Sequence, residues 1–127
     1  MALNILVVDD SSVMRSMIIK TLRLSGIPLG DIYQASNGQE GLQVLEGKWI
    51  DLALLDINMP VMTGEEMIHE IRQQPEWEDL SIIVVSTEVS RSRIKALSTK
   101  NVKFIQKPFT PETLREKIVE IIGEVNE

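Results

Sequence analysis

Six residues in this chain have the types and spacing to do chemistry together: Asp9, Asp10, Asp56, Ser86, Thr87 and Lys107. Asp9-Asp10 follow the apolar run LNILVV, Asp56 follows IDLALL, Ser86-Thr87 follow IIVV, and Lys107-Pro108 follow FIQ. Two unit charges about 4 Å apart repel by roughly 4 kcal/mol at an effective dielectric of 20, so three clustered carboxylates call for a cation. An all-oxygen donor set suits Mg²⁺ or Mn²⁺ better than zinc and leaves room for water and a phosphate oxygen. Such a centre fits phosphoryl transfer, in which a carboxylate attacks phosphorus while a metal and a lysine neutralise the equatorial oxygens. Asp56, alone at the end of the most apolar run, is the better nucleophile. Asp9 and Asp10, adjacent in sequence, are the better metal ligands, and Ser86 or Thr87 can donate a hydrogen bond to a phosphate oxygen. Taken singly, Asp-Asp-Ser reads as a helix cap, Lys-Pro as a turn and Ser-Thr as a loop start. Their joint placement at the ends of apolar runs is what those readings leave unexplained.

Positioning these groups requires strands that end at one edge, and the chain alternates short apolar runs with helix-period segments, the pattern of a parallel α/β sheet. Strands are expected at Leu3–Val8, Ile32–Ser36, Ile50–Leu55, Ile82–Val85 and Phe104–Gln106. The first helix starts at Val13 with Ser11 or Ser12 as its cap, carries Met14, Met17, Ile18 and Leu22 on one side, and ends near Gly26–Pro28. Asn37-Gly38 could turn a hairpin, but the spacing of Leu42 and Leu45 favours a helix ending near Gly47. Gly64–Gln73 reads as a helix through Met67, Ile68 and Ile71, stopped near Pro75. Ser90–Thr99 reads as a marginal polar helix. Thr110-Pro111-Glu112 opens a last helix that buries Leu114, Ile118, Ile121, Ile122 and Val125. Five βα units in one domain spanning 1–127 result, a five-stranded parallel sheet with helices on both faces. In such a sheet ligands bind beyond the carboxyl ends of the strands, where the six residues fall.

Composition narrows the alternatives. The chain has 127 residues, no cysteine and a single histidine, which excludes disulfides, thiolate-ligated zinc, iron–sulfur clusters and thiol catalysis. His69 is expected on the surface of its helix, and Met14, Met17, Met62 and Met67 in the core. Trp49 and Trp77 are assigned to local packing near helix ends. No apolar run approaches the length of a membrane span and Met1–Val8 lacks a secretory signal pattern, so a cytoplasmic protein without membrane insertion is expected. The formal net charge of −6 argues against a nucleic-acid surface. Arg91, Arg93, Lys95, Lys100, Lys103 and Lys107 nevertheless lie in a stretch without any acid between Val89 and Pro111.

The runs LVVDDSSVMR, LLDINMPVMTG, VVST and KPFT, in this order along the whole chain, resemble the receiver domain of two-component response regulators, in particular the stand-alone chemotaxis type. The resemblance implies the CheY-like, flavodoxin-like fold with strand order 2-1-3-4-5. It implies that Asp56 is the phosphoacceptor, that Asp10 binds Mg²⁺ directly with Asp9 nearby, and that the Asn58 carbonyl completes the metal ligands. Ser86 resembles the switch hydroxyl, with Thr87 in the adjoining small-residue position. Lys107 resembles the phosphate-binding lysine, whose bond to Pro108 is cis, and Phe104 holds the aromatic switch position without the hydroxyl of a tyrosine.

By the same resemblance, a histidine kinase is the phosphodonor, and the output is a phosphorylation-dependent protein contact, such as one with a flagellar motor switch, reset by a phosphatase. Catalysis is confined to the chain's own phosphorylation and dephosphorylation, the protein is a monomer, and no DNA contact is expected. The basic residues Arg91, Arg93, Lys95, Lys100 and Lys103 either receive an acidic partner segment or form a solvated polar face. A relay intermediate or phosphate sink without a motor target is the nearest alternative. A haloacid-dehalogenase-type phosphatase places a second Asp two residues after its nucleophile, a spacing Asp9-Asp10-Ser11 lacks. A flavodoxin-type carrier is disfavoured because two carboxylates would repel the cofactor phosphate.

Overall fold

The computed structural model describes residues 2–87 and 101–126, with the last three described by backbone alone. Five strands, β1 (Leu3–Val8), β2 (Leu29–Ala35), β3 (Leu52–Leu55), β4 (Ser81–Ser86) and β5 (Val102–Gln106), pair in parallel in the order β2-β1-β3-β4-β5. Among the described residues there are four α-helices: α1 (Ser12–Leu24), α2 (Gly38–Gly47), α3 (Gly64–Arg72) and α4 (Pro111–Asn126). The helix expected over Ser90–Thr99 lies outside the described residues, together with Arg91, Arg93, Lys95 and Lys100.

Alternation along the strands sorts the core into two layers. Leu6, Val8, Ala53, Leu55, Ile82 and Val84 face Leu45, Met67, Ile68 and Ile71 of α2 and α3. The intervening residues Ile5, Val7, Leu52, Leu54, Ile83 and Val85 face Ile18 and Leu22 of α1 and Leu114, Ile118 and Ile121 of α4. β3 is buried at all four positions, as a central strand covered on both faces must be.

Local chemistry fixes the ends of the helices. Ser11 caps α1, its hydroxyl accepting from the Met14 amide, and Gly26, at φ 82°, turns the chain out of that helix. Asn37 caps α2 by accepting from the Glu40 amide at 2.9 Å, which settles Asn37-Gly38 as a helix start. Thr63 and Glu66 form a reciprocal capping box on α3. Thr63→Ala should therefore lower stability by about 1 kcal/mol, read as a lower urea midpoint at unchanged slope.

Several expected boundaries shift. β2 begins at Leu29, three residues before the apolar pattern does, because it pairs with β1 from Leu3 onward. β3 begins only at Leu52; Ile50 is buried in the approach. β5 starts at Val102, and β4 gains Ser81 and Ser86. Two side chains depart from expectation. Met17 is 57% exposed, since the stripe of α1 that meets the sheet is narrow and centres on Ile18 and Leu22. Trp49 is 77% exposed, held at the rim of the domain by its indole N–H donating to Asp51. Trp77, by contrast, packs on the α2–α3 layer, as do Met62 and the buried Met67, while Met14 packs on the other layer and His69 is exposed.

Candidate functional site at the carboxyl ends of the strands

β1 and β3 are neighbours in register, Val8 beside Leu55, so the residues that follow them emerge side by side. The Asp56 amide donates to the Val8 carbonyl at 3.0 Å and the Asp9 amide to the Ala35 carbonyl at 3.1 Å, carrying the sheet's pairing into the site. Carboxylate oxygens of Asp9, Asp10 and Asp56 lie within 4.8 Å of one another, a group that could hold a metal ion. The three differ in setting: Asp9 is buried, Asp56 is partly buried and Asp10 is exposed.

Asp9 is tied down on several sides. One carboxylate oxygen accepts from the Ser11 amide at 2.9 Å, and the other lies 3.4 Å from the Lys107 ammonium. Its carbonyl accepts from the Arg15 guanidinium at 2.6 Å, while Arg15 also donates to Gln34. Arg15 is a positioning residue that the residue pattern did not reveal. The signal available was its place one turn into α1, the helix that follows the acidic pair.

Lys107 follows β5, and its amide donates to the Ser86 carbonyl, extending the β4–β5 ladder; its bond to Pro108 is cis. From there its ammonium sits 3.4 Å from Asp9 and 3.9 Å from Asp56. Three carboxylates against one ammonium leave two negative charges, which one divalent cation balances. Burial pushes the Asp56 carboxyl above the ordinary carboxylate range; Lys107 opposes that rise, Asp9 adds to it, and the amides of Ile57 and Asn58 oppose it by hydrogen bonding.

Ser86 is buried and Thr87 exposed. Val84 pairs with Phe104 and Ser86 with Gln106, so Ser86 and Phe104 share one face of the sheet, where Phe104 packs partly buried on the α2–α3 layer. Asn58 stands exposed in the loop after Asp56, between the buried Ile57 and Met59. Among the basic residues assigned to a partner surface, Lys103 alone is described; it is partly buried on β5.

A parallel α/β sheet in the order β2-β1-β3-β4-β5 that gathers acids and a lysine at the carboxyl ends of its strands is the architecture of a signalling receiver. The chain belongs to the response regulator receiver domain family, whose model matches residues 5–119. It is 37% identical over 123 residues to a chemotaxis protein CheY homolog of Campylobacter jejuni, covering 95% of this chain and 93% of that protein. The solved structure of the chemotaxis response regulator CheY4 of Vibrio cholerae matches with a TM-score of 0.80 at 31% identity, covering 95% of this chain and 99% of that one. The chain is also 35% identical over 113 residues to the sensor histidine kinase CheAY of Helicobacter pylori, 14% of whose length is matched. No helix among the described residues is long and apolar enough to cross a membrane.

Proposed function

We propose that residues 1–127 act as one phosphorylation switch, in which Asp56 accepts a phosphoryl group from a histidine kinase and the phosphorylated chain signals through protein contacts in chemotaxis. The observation that carries this reading is the Lys107 ammonium lying between Asp9 and Asp56 in a cluster of three carboxylates. Asp9, Asp10, Asp56 and the Asn58 backbone carbonyl would hold Mg²⁺, or Mn²⁺ in its place. When bound, the ion neutralises charge on the phosphoryl oxygens.

A carboxylate oxygen of Asp56 attacks phosphorus; the new O–P bond forms as the bond to the donor's imidazole nitrogen breaks, and that electron pair leaves with the ring. Lys107 is within reach of a phosphoryl oxygen on Asp56. Ser86 is favoured over Thr87 as the switch hydroxyl because it shares its face of the sheet with Phe104. Movement of the hydroxyl toward the phosphoryl group opens space beside Phe104, and the ring's inward rotation shifts the population of the β5 surface near Lys103. The downstream partner is a protein such as a flagellar motor component.

The test uses acetyl phosphate with intact-mass detection. Mg²⁺ should permit the gain of one phosphoryl mass, a chelator should prevent it, and peptide mapping should place the label on Asp56. A gain that ignores the chelator, or a label elsewhere, overturns the reading.

A further inference from the structure

A cavity of about 540 Å³ opens at the opposite end of the sheet, where the strands begin. Its walls come from Leu3, from the α2–β3 connection, from the segment between α3 and β4, and from Ile122 on α4. The volume lies in the range of ligand-binding sites. Leu45, Ile50 and Leu80 give it an apolar interior, and Trp49 and Trp77 supply two indoles.

Its lining carries four carboxylates against one ammonium. Glu46, Asp51, Glu76 and Asp79 line it, and Glu46 and Glu76 form no ion pair among the described residues. The basic residue of its lining, Lys48, has its ammonium 5.8 Å from the centre of the Tyr33 ring, which does not line the cavity. Ser81, only 2% exposed, also lines the cavity, and its buried hydroxyl has no hydrogen-bond partner among the described residues.

We propose that this cavity receives an arginine- or lysine-bearing segment of a partner protein. The cationic head is drawn by Glu46 and Glu76 and by the faces of the two indoles, and the aliphatic stem lies on the apolar interior. A segment crossing the rim also covers Trp49, 77% exposed, which a small cation lying inside does not. The proposal does not rest on phosphoryl transfer, because no residue of the acidic cluster lines the cavity.

Trp49 and Trp77 are the two tryptophans of the chain, so intrinsic tryptophan emission reports on this site alone. The probe is the capped peptide acetyl-Gly-Arg-Leu-Arg-Gly-amide, titrated without phosphodonor or Mg²⁺ and checked by calorimetry. A saturable emission change is expected that weakens with salt and falls about tenfold in affinity in the Glu46→Gln, Glu76→Gln double variant. Both positions are exposed, and thermal melting by circular dichroism verifies that the variant is folded. Four results overturn the proposal: no saturable change, an equal response to the peptide with citrulline for arginine, equal affinity for agmatine alone, or unchanged affinity in the double variant.

Discussion

Asp56→Asn is expected to gain no phosphoryl mass from acetyl phosphate and Mg²⁺ under conditions that label the unsubstituted chain fully. The amide matches the carboxylate in shape and leaves the Asp9 and Asp10 carboxylates in place, and peptide mapping of the unsubstituted chain then assigns the lost label to Asp56 itself. The same substitution has a second, opposite effect on stability. Burial raises the Asp56 carboxyl above its ordinary value, with Asp9 adding to the rise and Lys107 only partly offsetting it. A raised folded-state value means that the native state favours the protonated form. Its stabilising contribution is full below the ordinary carboxylate range and is lost as pH rises through the folded value. Metal-free Asp56→Asn, free of this loss, should melt at a higher temperature than the unsubstituted chain near neutral pH, with the gap narrowing on acidification. Adding Mg²⁺ should close the gap from the other side, because an ion bound by the native state stabilises it by mass action. Thermal melts with and without Mg²⁺ across a pH series check all three statements. A variant that melts lower than the unsubstituted chain without metal would show that Lys107, not burial, dominates at Asp56.

Strand-end residues were legible in sequence because a parallel sheet buried on both faces announces itself in continuous apolar runs. Leu3–Val8 ends where the structure ends it, and Asp56 follows Leu55 at the edge of β3. Boundaries set by pairing were less legible: Leu29–Asp31 carry no apolar pattern, yet β2 begins at Leu29 because it pairs with Leu3, across a register shift before Ile32. Met17 and Trp49 show the limit of hydrophobicity as a guide to burial. Each is apolar, but each sits where no neighbouring element among the described residues covers it. Within the site, residue types identified the acids and the lysine, while their separate settings came from geometry. The buried, amide-bonded Asp9 and the exposed Asp10 are indistinguishable as an Asp-Asp pair. Arg15 escaped notice because its contact with the acidic cluster is to the Asp9 backbone carbonyl, which the identity of Asp9 does not announce.

Gly64→Ala should damage the site from a distance that its chemistry does not suggest. Gly64 opens α3, and its amide donates to the Ile57 carbonyl at 2.8 Å, closing the loop that follows Asp56. A Cβ placed there would lie 2.5 Å from the Asp56 carbonyl oxygen and 2.9 Å from the Ile57 Cα. Both are backbone atoms, so no side-chain rotation relieves the overlap. Ile57 is fully buried and the Asp56 amide is held by Val8, so the strand end cannot move freely either. Either α3 backs away from the core or Asp56 shifts. Overpacking of this kind costs about 1–3 kcal/mol. A displacement of about 1 Å in a reacting group can slow its reaction by about a hundredfold. Urea denaturation and the initial rate of labelling by acetyl phosphate measure the two consequences separately. Gly47→Ala provides the control: at the end of α2 a Cβ meets nothing within 4 Å, so the same substitution there should leave both the urea midpoint and the labelling rate nearly unchanged. If the two variants lose stability and rate alike, the effect belongs to glycine's backbone freedom. If only Gly64→Ala does, close approach of α3 to the Asp56 backbone is what sets the position of the Asp56 carboxylate.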